Sequence, residues 1–87
     1  MAIAVVFEFP RDSISKYDKV LEVAPATKVQ PARSYHVCFE TDGGFTVVDV
    51  WDSPDAFEAF GAVIGPALAE VGLETEPKIF EVHNIMN

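Results

Sequence analysis

The sequence predicts an α+β domain in which two helices pack on one face of a four-stranded antiparallel sheet. Three observations predict it. Four short segments are rich in β-branched and aromatic residues, two others repeat apolar residues at helical spacing, and an Asp-Gly-Gly turn joins the two middle strands. The resulting order, β-α-β-β-α-β, runs over residues 1–87 as one domain, the count that a chain of 87 residues suggests.

The first strand is read over residues 2–9, from Ile3, Val5, Val6, Phe7 and Phe9, with Pro10 closing the run. A helix follows over 13–24. Ile14, Tyr17, Leu21 and Ala24, with Val20 beside them, form one apolar stripe; Asp12 or Ser13 is placed to cap it and Pro25 ends it. Pro25 and Pro31 make 25–33 a loop. Strands over 34–40 and 45–51 flank Thr41-Asp42-Gly43-Gly44, where Asp-Gly suits the positive φ angles of a two-residue hairpin turn. The second helix starts with Ser53 as N-cap and Pro54 at its first position, and runs to about Val71. Ala56, Phe57, Phe60, Val63, Ile64, Ala67 and Leu68 give it a wide apolar face. Gly65-Pro66 is expected to kink or interrupt it, and Gly72 to close it. The last strand is read over 78–86.

This is the split-βαβ, ferredoxin-like order, and right-handed crossovers place both helices on one side of the sheet. The hairpin fixes a register: Thr41 pairs with Gly44, and counting back, the pairs Glu40–Phe45, Cys38–Val47, His36–Asp49 and Ser34–Trp51 share one face. The other face holds Tyr35, Val37, Phe39, Thr46, Val48 and Val50. The sheet side without helices is therefore apolar on a very small domain, and a second copy of the chain is the economical cover. A homodimer through the sheet face is the expected assembly.

Composition narrows the partners. Six Lys+Arg against fourteen Asp+Glu give a net charge of -8, which disfavours a nucleic-acid backbone or an anionic membrane surface. The first apolar run is too short for a signal sequence or a membrane span, and the single cysteine, Cys38, allows no internal disulfide; the expected location is cytoplasmic.

The opposed His36–Asp49 pair is the leading catalytic candidate. A carboxylate fixes the imidazole tautomer and favours its protonated form, so in a pocket the pair can serve as general acid or base. The alternative is a cross-strand pair that only satisfies two polar groups. His83 is a second candidate, near Glu8 or Glu81. Two histidines and a carboxylate can make a metal set, but no local ligand spacing supports one, and no metal or cofactor is expected. Trp51 is either a wall for a flat ligand or a core residue. No GxSxG, phosphate-cradling glycine loop or HExxH is present.

The stretch Val47-Val-Asp-Val-Trp-Asp-Ser-Pro-Asp-Ala-Phe-Glu-Ala-Phe60 resembles the strand-to-helix junction of the dimeric α/β-barrel superfamily, in particular the antibiotic-biosynthesis-monooxygenase-like proteins. The order of elements matches over essentially the whole chain. The resemblance implies a dimeric α/β barrel with helices outside, and a small, flat, hydrophobic ligand held between sheet and helices. Its members include cofactor-independent oxygenases of aromatic compounds, haem-cleaving enzymes, cyclases and proteins of no known activity. The haem-cleaving branch carries a Trp where this chain has Phe60 and a haem-ligating His where it has Glu70, so its ligand set is missing here. The cyclase branch uses a strand histidine, often with a tyrosine; His36 or His83, with Tyr17 or Tyr35, would fill those parts. Trp51, Tyr35 and Tyr17 are the ligand contacts this implies. The function so implied is a cofactor-independent monooxygenase or cyclase acting on a small hydrophobic or aromatic metabolite, or else a non-catalytic dimeric ligand-binding or accessory module.

Overall fold

In the computed structural model, which describes residues 1–10, 13–73 and 75–86, the elements run β1 (Ile3–Pro10), α1 (Ile14–Val23), β2 (Arg33–Thr41), β3 (Gly44–Trp51), α2 (Pro54–Val71) and β4 (Lys78–Glu81), with a 3₁₀ turn over Pro25–Lys28. The sheet is antiparallel, in the order β2-β3-β1-β4. This is a ferredoxin-like α+β fold.

Both helices meet the same sheet face. Val20 of α1 and Ala67 of α2 pack on Phe9, Phe45 and Val47, while Phe60 of α2 joins Ile3, Val5 and Trp51 in a second cluster. The opposite face is open. Its Tyr35, Val37, Phe39 and Phe80 side chains are exposed.

The hairpin register is as expected from Thr41↔Gly44 through Cys38↔Val47 to His36↔Asp49. Beyond that it departs. A β-bulge between Arg33 and Tyr35 sets Arg33, not Ser34, opposite Trp51. The extra residue slips the register by one, which moves Arg33 to the helix face. The turn also closes differently: among the described residues only Gly72 has a positive φ. Gly43 therefore does not use its left-handed freedom. The glycine the hairpin depends on is Gly44, where a Cβ would stand 1.9 Å from the Phe9 carbonyl oxygen.

Ser53 caps α2, its Oγ accepting from the Ala56 N–H at 3.2 Å, and Gly72 ends it in the left-handed conformation with φ 75°. Pro66 does not interrupt this helix. Gly65, Pro66 and Ala62 are exposed, so water can serve the carbonyl that Pro66 leaves without a donor, while buried Phe60 and Ala67 hold the flanking turns to the sheet. At α1, Ser13 occupies the N-cap position without a side-chain cap bond, and Asp12 lies outside the described residues.

The last strand is shorter than its sequence suggests, Lys78–Glu81 rather than 78–86. It pairs with the start of β1, Ile3↔Glu81 being the last match, and one further bond joins Val82 N–H to the Ala2 carbonyl at 3.1 Å. No helix among the described residues is long and apolar enough to cross a membrane.

Candidate functional site

Three residues from three elements form a hydrogen-bonded chain beneath the helices. Asp49 comes from the middle of β3 and is buried; His36 stands opposite it on β2; Tyr17 reaches down from α1. His36 Nδ1 lies 2.5 Å from Asp49 Oδ1, and Tyr17 Oη lies 2.7 Å from His36 Nε2. A carboxylate only accepts, so the network assigns the proton of the neutral imidazole to Nδ1, and Nε2 then accepts from the Tyr17 hydroxyl. The Tyr17 ring lies nearly parallel to the imidazole, 9° between planes, and meets Phe45 edge-on.

The local sequence explains the convergence. Tyr17 lies in the stripe Ile14–Tyr17–Leu21, whose spacing of three and four aims it at the sheet. His36 and Asp49 are held by ladder pairs on either side, Tyr35↔Val50 and Val37↔Val48. Burial raises the Tyr17 phenol from 10.0 to about 12, with the nearby Cys38 thiol adding to the shift. Burial likewise pushes the Cys38 thiol up, and the neighbouring Tyr17 hydroxyl acts against that rise.

This chain opens on a cavity of about 60 Å3 between sheet and helices. Its walls are apolar, with Phe7, Phe9, Val47, Phe60, Ile64 and Leu68 among them; Tyr17, His36, Asp49, Thr27 and Arg33 supply polar groups. An engineered apolar cavity that takes up benzene measures about 150 Å3, well above this volume, so an aromatic ring enters here as the walls move outward.

The other candidates lie elsewhere. Trp51 is 1% exposed and packs on Phe60 with ring centroids 4.8 Å apart; it is core, not cavity wall, and its buried Nε1 has no hydrogen-bond partner among the described residues. Tyr35 points to the open sheet face. His83 follows β4, is exposed, and does not join the Tyr17–His36–Asp49 chain. Among the described residues, no group of three His, Cys, Asp or Glu side chains is placed to share a metal ion.

Arg33 and Thr27 are cavity residues that pattern reading does not reach. Regular alternation along β2 puts Arg33 on the outer face, and only the bulge brings it inward. Its Nη2 donates to the Thr27 carbonyl at 2.8 Å and the Lys28 carbonyl at 3.3 Å, and its guanidinium carbon lies 5.7 Å from the ring centroids of both Trp51 and Phe60.

No protein-family profile matches the sequence, and no curated protein matches it by sequence. Solved structures do resemble it. Rv0793 from Mycobacterium tuberculosis superposes with a TM-score of 0.75 at 17% identity over 100% of both chains. SnoaB from Streptomyces nogalater, described as a cofactor-independent oxygenase, superposes with a TM-score of 0.72 at 18% identity, over 98% of this chain and 96% of its own. A third, described as an antibiotic biosynthesis monooxygenase, gives a TM-score of 0.68 at 13% identity, over 99% of this chain and 100% of its own. At these identities the likeness is one of fold: the chain has the ferredoxin-like architecture of the antibiotic-biosynthesis-monooxygenase-like proteins.

Proposed function

We propose that this protein is a cofactor-independent enzyme, monooxygenase-like or cyclase-like, acting on a small aromatic or hydrophobic metabolite with His36 as its acid–base group. The observation that carries this is the Tyr17–His36–Asp49 chain at the edge of an apolar cavity. Asp49 holds the imidazole with Nε2 facing Tyr17 and supports the imidazolium that forms when Nε2 takes a proton. Tyr17, kept neutral by burial, covers Nε2 until a ligand hydroxyl or acidic C–H replaces it. Proton removal and return is all that a cyclisation or isomerisation requires. In an oxygenation, removal of a proton from an activated ring CH2 leaves a carbanion, which gives electrons to O2. The sum CH2 + O2 → C=O + H2O balances with every electron drawn from substrate and oxygen. The fold-likeness to SnoaB, a cofactor-independent oxygenase, supports this branch.

Ligand entry in this reading displaces α1, the ten-residue helix that carries Tyr17 and has Val20 as its buried residue. The functional unit is one domain over residues 1–87, paired with a second copy through the open sheet face as a dimeric α/β barrel in the cytoplasm. The exposed Tyr35, Val37, Phe39 and Phe80 on that face support the pairing.

A second reading, a non-catalytic dimeric ligand-binding or accessory module, is favoured by one observation. The cavity of about 60 Å3 is well below the few hundred Å3 usual for a ligand pocket. Turnover of hydroxylated aromatics under air separates the two. Wild type is expected to convert at least one member of a panel, and His36→Ala to lose at least about a hundredfold in rate. Equal turnover in both removes His36 from the mechanism, and none in wild type supports the module.

A further inference from the structure

Arg33 is held with more care than a surface cation needs. The bulge turns it onto the helix face, two carbonyls fix Nη2, and two aromatic rings lie within cation–π range of the guanidinium. That leaves the N–H groups of Nε and Nη1, which meet no acceptor among the described residues. The chain has fourteen Asp+Glu, yet no carboxylate among the described residues forms an ion pair with Arg33. Among the described residues it is the one Lys or Arg that lines the cavity. A guanidinium with a free edge, fixed against apolar walls, is a receptor for a planar oxyanion. Low local polarity makes such a charge-assisted bond stronger than it is in water.

The spacing suits a ring. Arg33 stands opposite Trp51 and His36 opposite Asp49. Trp51 and Asp49 are two residues apart on one strand face, so the backbone positions that carry Arg33 and His36 are about 7 Å apart along the sheet. An aromatic ring bearing an oxygen on Arg33 would present its far edge to His36.

We infer that Arg33 receives an anionic oxygen of the ligand, so that the cavity selects an aromatic acid or an ionised phenol or enol over a neutral arene. This rests on the ligand-binding part of the reading above, and not on catalysis. The structural role of Arg33, tying the Pro25–Lys28 turn to β2, uses Nη2 alone.

Calorimetric binding to matched probes tests it: naphthoate against naphthamide, and naphthol above and below its own ionisation. Wild type is expected to bind naphthoate, or naphtholate, about tenfold or more tighter than the neutral partner. A preference for the carboxylate alone assigns an aromatic acid, and one for naphtholate alone an enolate-type ligand; both support the inference. Arg33→Gln is expected to lose the preference and keep its affinity for naphthamide. Arg33→Lys, which keeps the charge without the fork, is expected to retain part of the preference; it stands in if Arg33→Gln does not fold. Equal affinity of wild type for charged and neutral probes overturns the inference. So does a preference that survives in Arg33→Gln, or no binding of any probe. His36→Ala is expected to keep the anion preference, so an inactive protein that still discriminates refutes catalysis alone.

Discussion

Asp49 Oδ1 lies 2.5 Å from His36 Nδ1, and the two partners are unequally sheltered: the Asp49 side chain is 3% exposed, that of His36 27%. The pair should therefore respond unequally to truncation. His36→Ala leaves a buried carboxylate without its partner and is expected to cost on the order of 2–3 kcal/mol. Asp49→Asn keeps an oxygen that accepts from Nδ1 and leaves a partly exposed imidazole that water can serve; about 1 kcal/mol is expected. Urea denaturation of both variants measures the difference. Equal losses would mean that the carboxylate is hydrated rather than sheltered.

Tyr17 makes stability depend on pH at the alkaline end. Its phenol titrates at about 12 in the folded chain against 10.0 ordinarily, because it is partly withdrawn from water. The unfolded chain releases that proton first, so the contribution of Tyr17 is intact below pH 10 and is lost as pH rises from 10 towards 12. Tyr17→Phe should flatten that part of the stability curve. A phenolate absorbance titration of wild type minus Tyr17→Phe should show its step near 12. A step near 10 would place the phenol in water.

Most of the framework behind this site was legible because periodicity reports it directly. The α1 stripe aims Tyr17 inward, and the two-residue hairpin loop sets His36 against Asp49. Pattern reading alone did not decide between Tyr17 and Tyr35 as the partner of His36. That depended on which sheet face the helices cover, and the helices cover the His36 face. Arg33 was hidden for a different reason. A bulge is one residue of slip with no compositional mark in Ala32-Arg33-Ser34, and it inverts the face of everything before it. Trp51 is core because Phe60 and Phe57 enclose it, a tertiary fact that its place at a strand end does not carry.

Gly44, not Gly43, should be the glycine that the hairpin cannot lose. A Cβ at Gly44 meets the Phe9 carbonyl oxygen at 1.9 Å and backbone carbons of Phe9 and Pro10 at 3.0 Å, whereas nothing lies within 4 Å of one at Gly43. Gly44→Ala must push β1 and β3 apart where Pro10 pairs with Gly44, at about 1–3 kcal/mol or more. Gly43→Ala should stay within about 0.5 kcal/mol, since no positive φ is needed there. Thermal melts of the two variants rank them, and the reverse ranking would refute the register.

Trp51 carries two opposing terms. Its ring fills the core between Phe57, Phe60 and the Arg33 guanidinium, but its indole N–H is buried without a partner among the described residues. Trp51→Ala should cost about 3–5 kcal/mol through the cavity it leaves. Trp51→Phe loses less volume and also removes the unpaired donor, a group whose burial costs about 1–3 kcal/mol, so the two effects largely offset. A loss of roughly 1 kcal/mol or less is expected for Trp51→Phe by urea denaturation. A loss close to that of Trp51→Ala would mean that the indole N–H is satisfied in solution.

The open sheet face supplies the last prediction. Tyr35, Val37 and Phe39 are 39%, 51% and 45% exposed, and they flank Val50, Val48 and Thr46 of β3 on the same face. Ala4 and Val6 of β1 continue that face towards Phe80 of β4, which is 54% exposed. An apolar surface spanning four strands is a poor neighbour for water, and a two-fold pairing covers it with its own image. Light scattering should then give twice the chain mass of 9.5 kDa at micromolar concentration. Because a two-fold axis brings each substitution in twice, Val37→Lys buries two unpaired ammonium groups at one interface and should yield the 9.5 kDa species. Ala62→Lys, on the exposed side of α2, is the matched control and should leave the dimer intact. A wild-type chain that scatters as a monomer would show that this face stands free in water, and the pairing proposal would be abandoned.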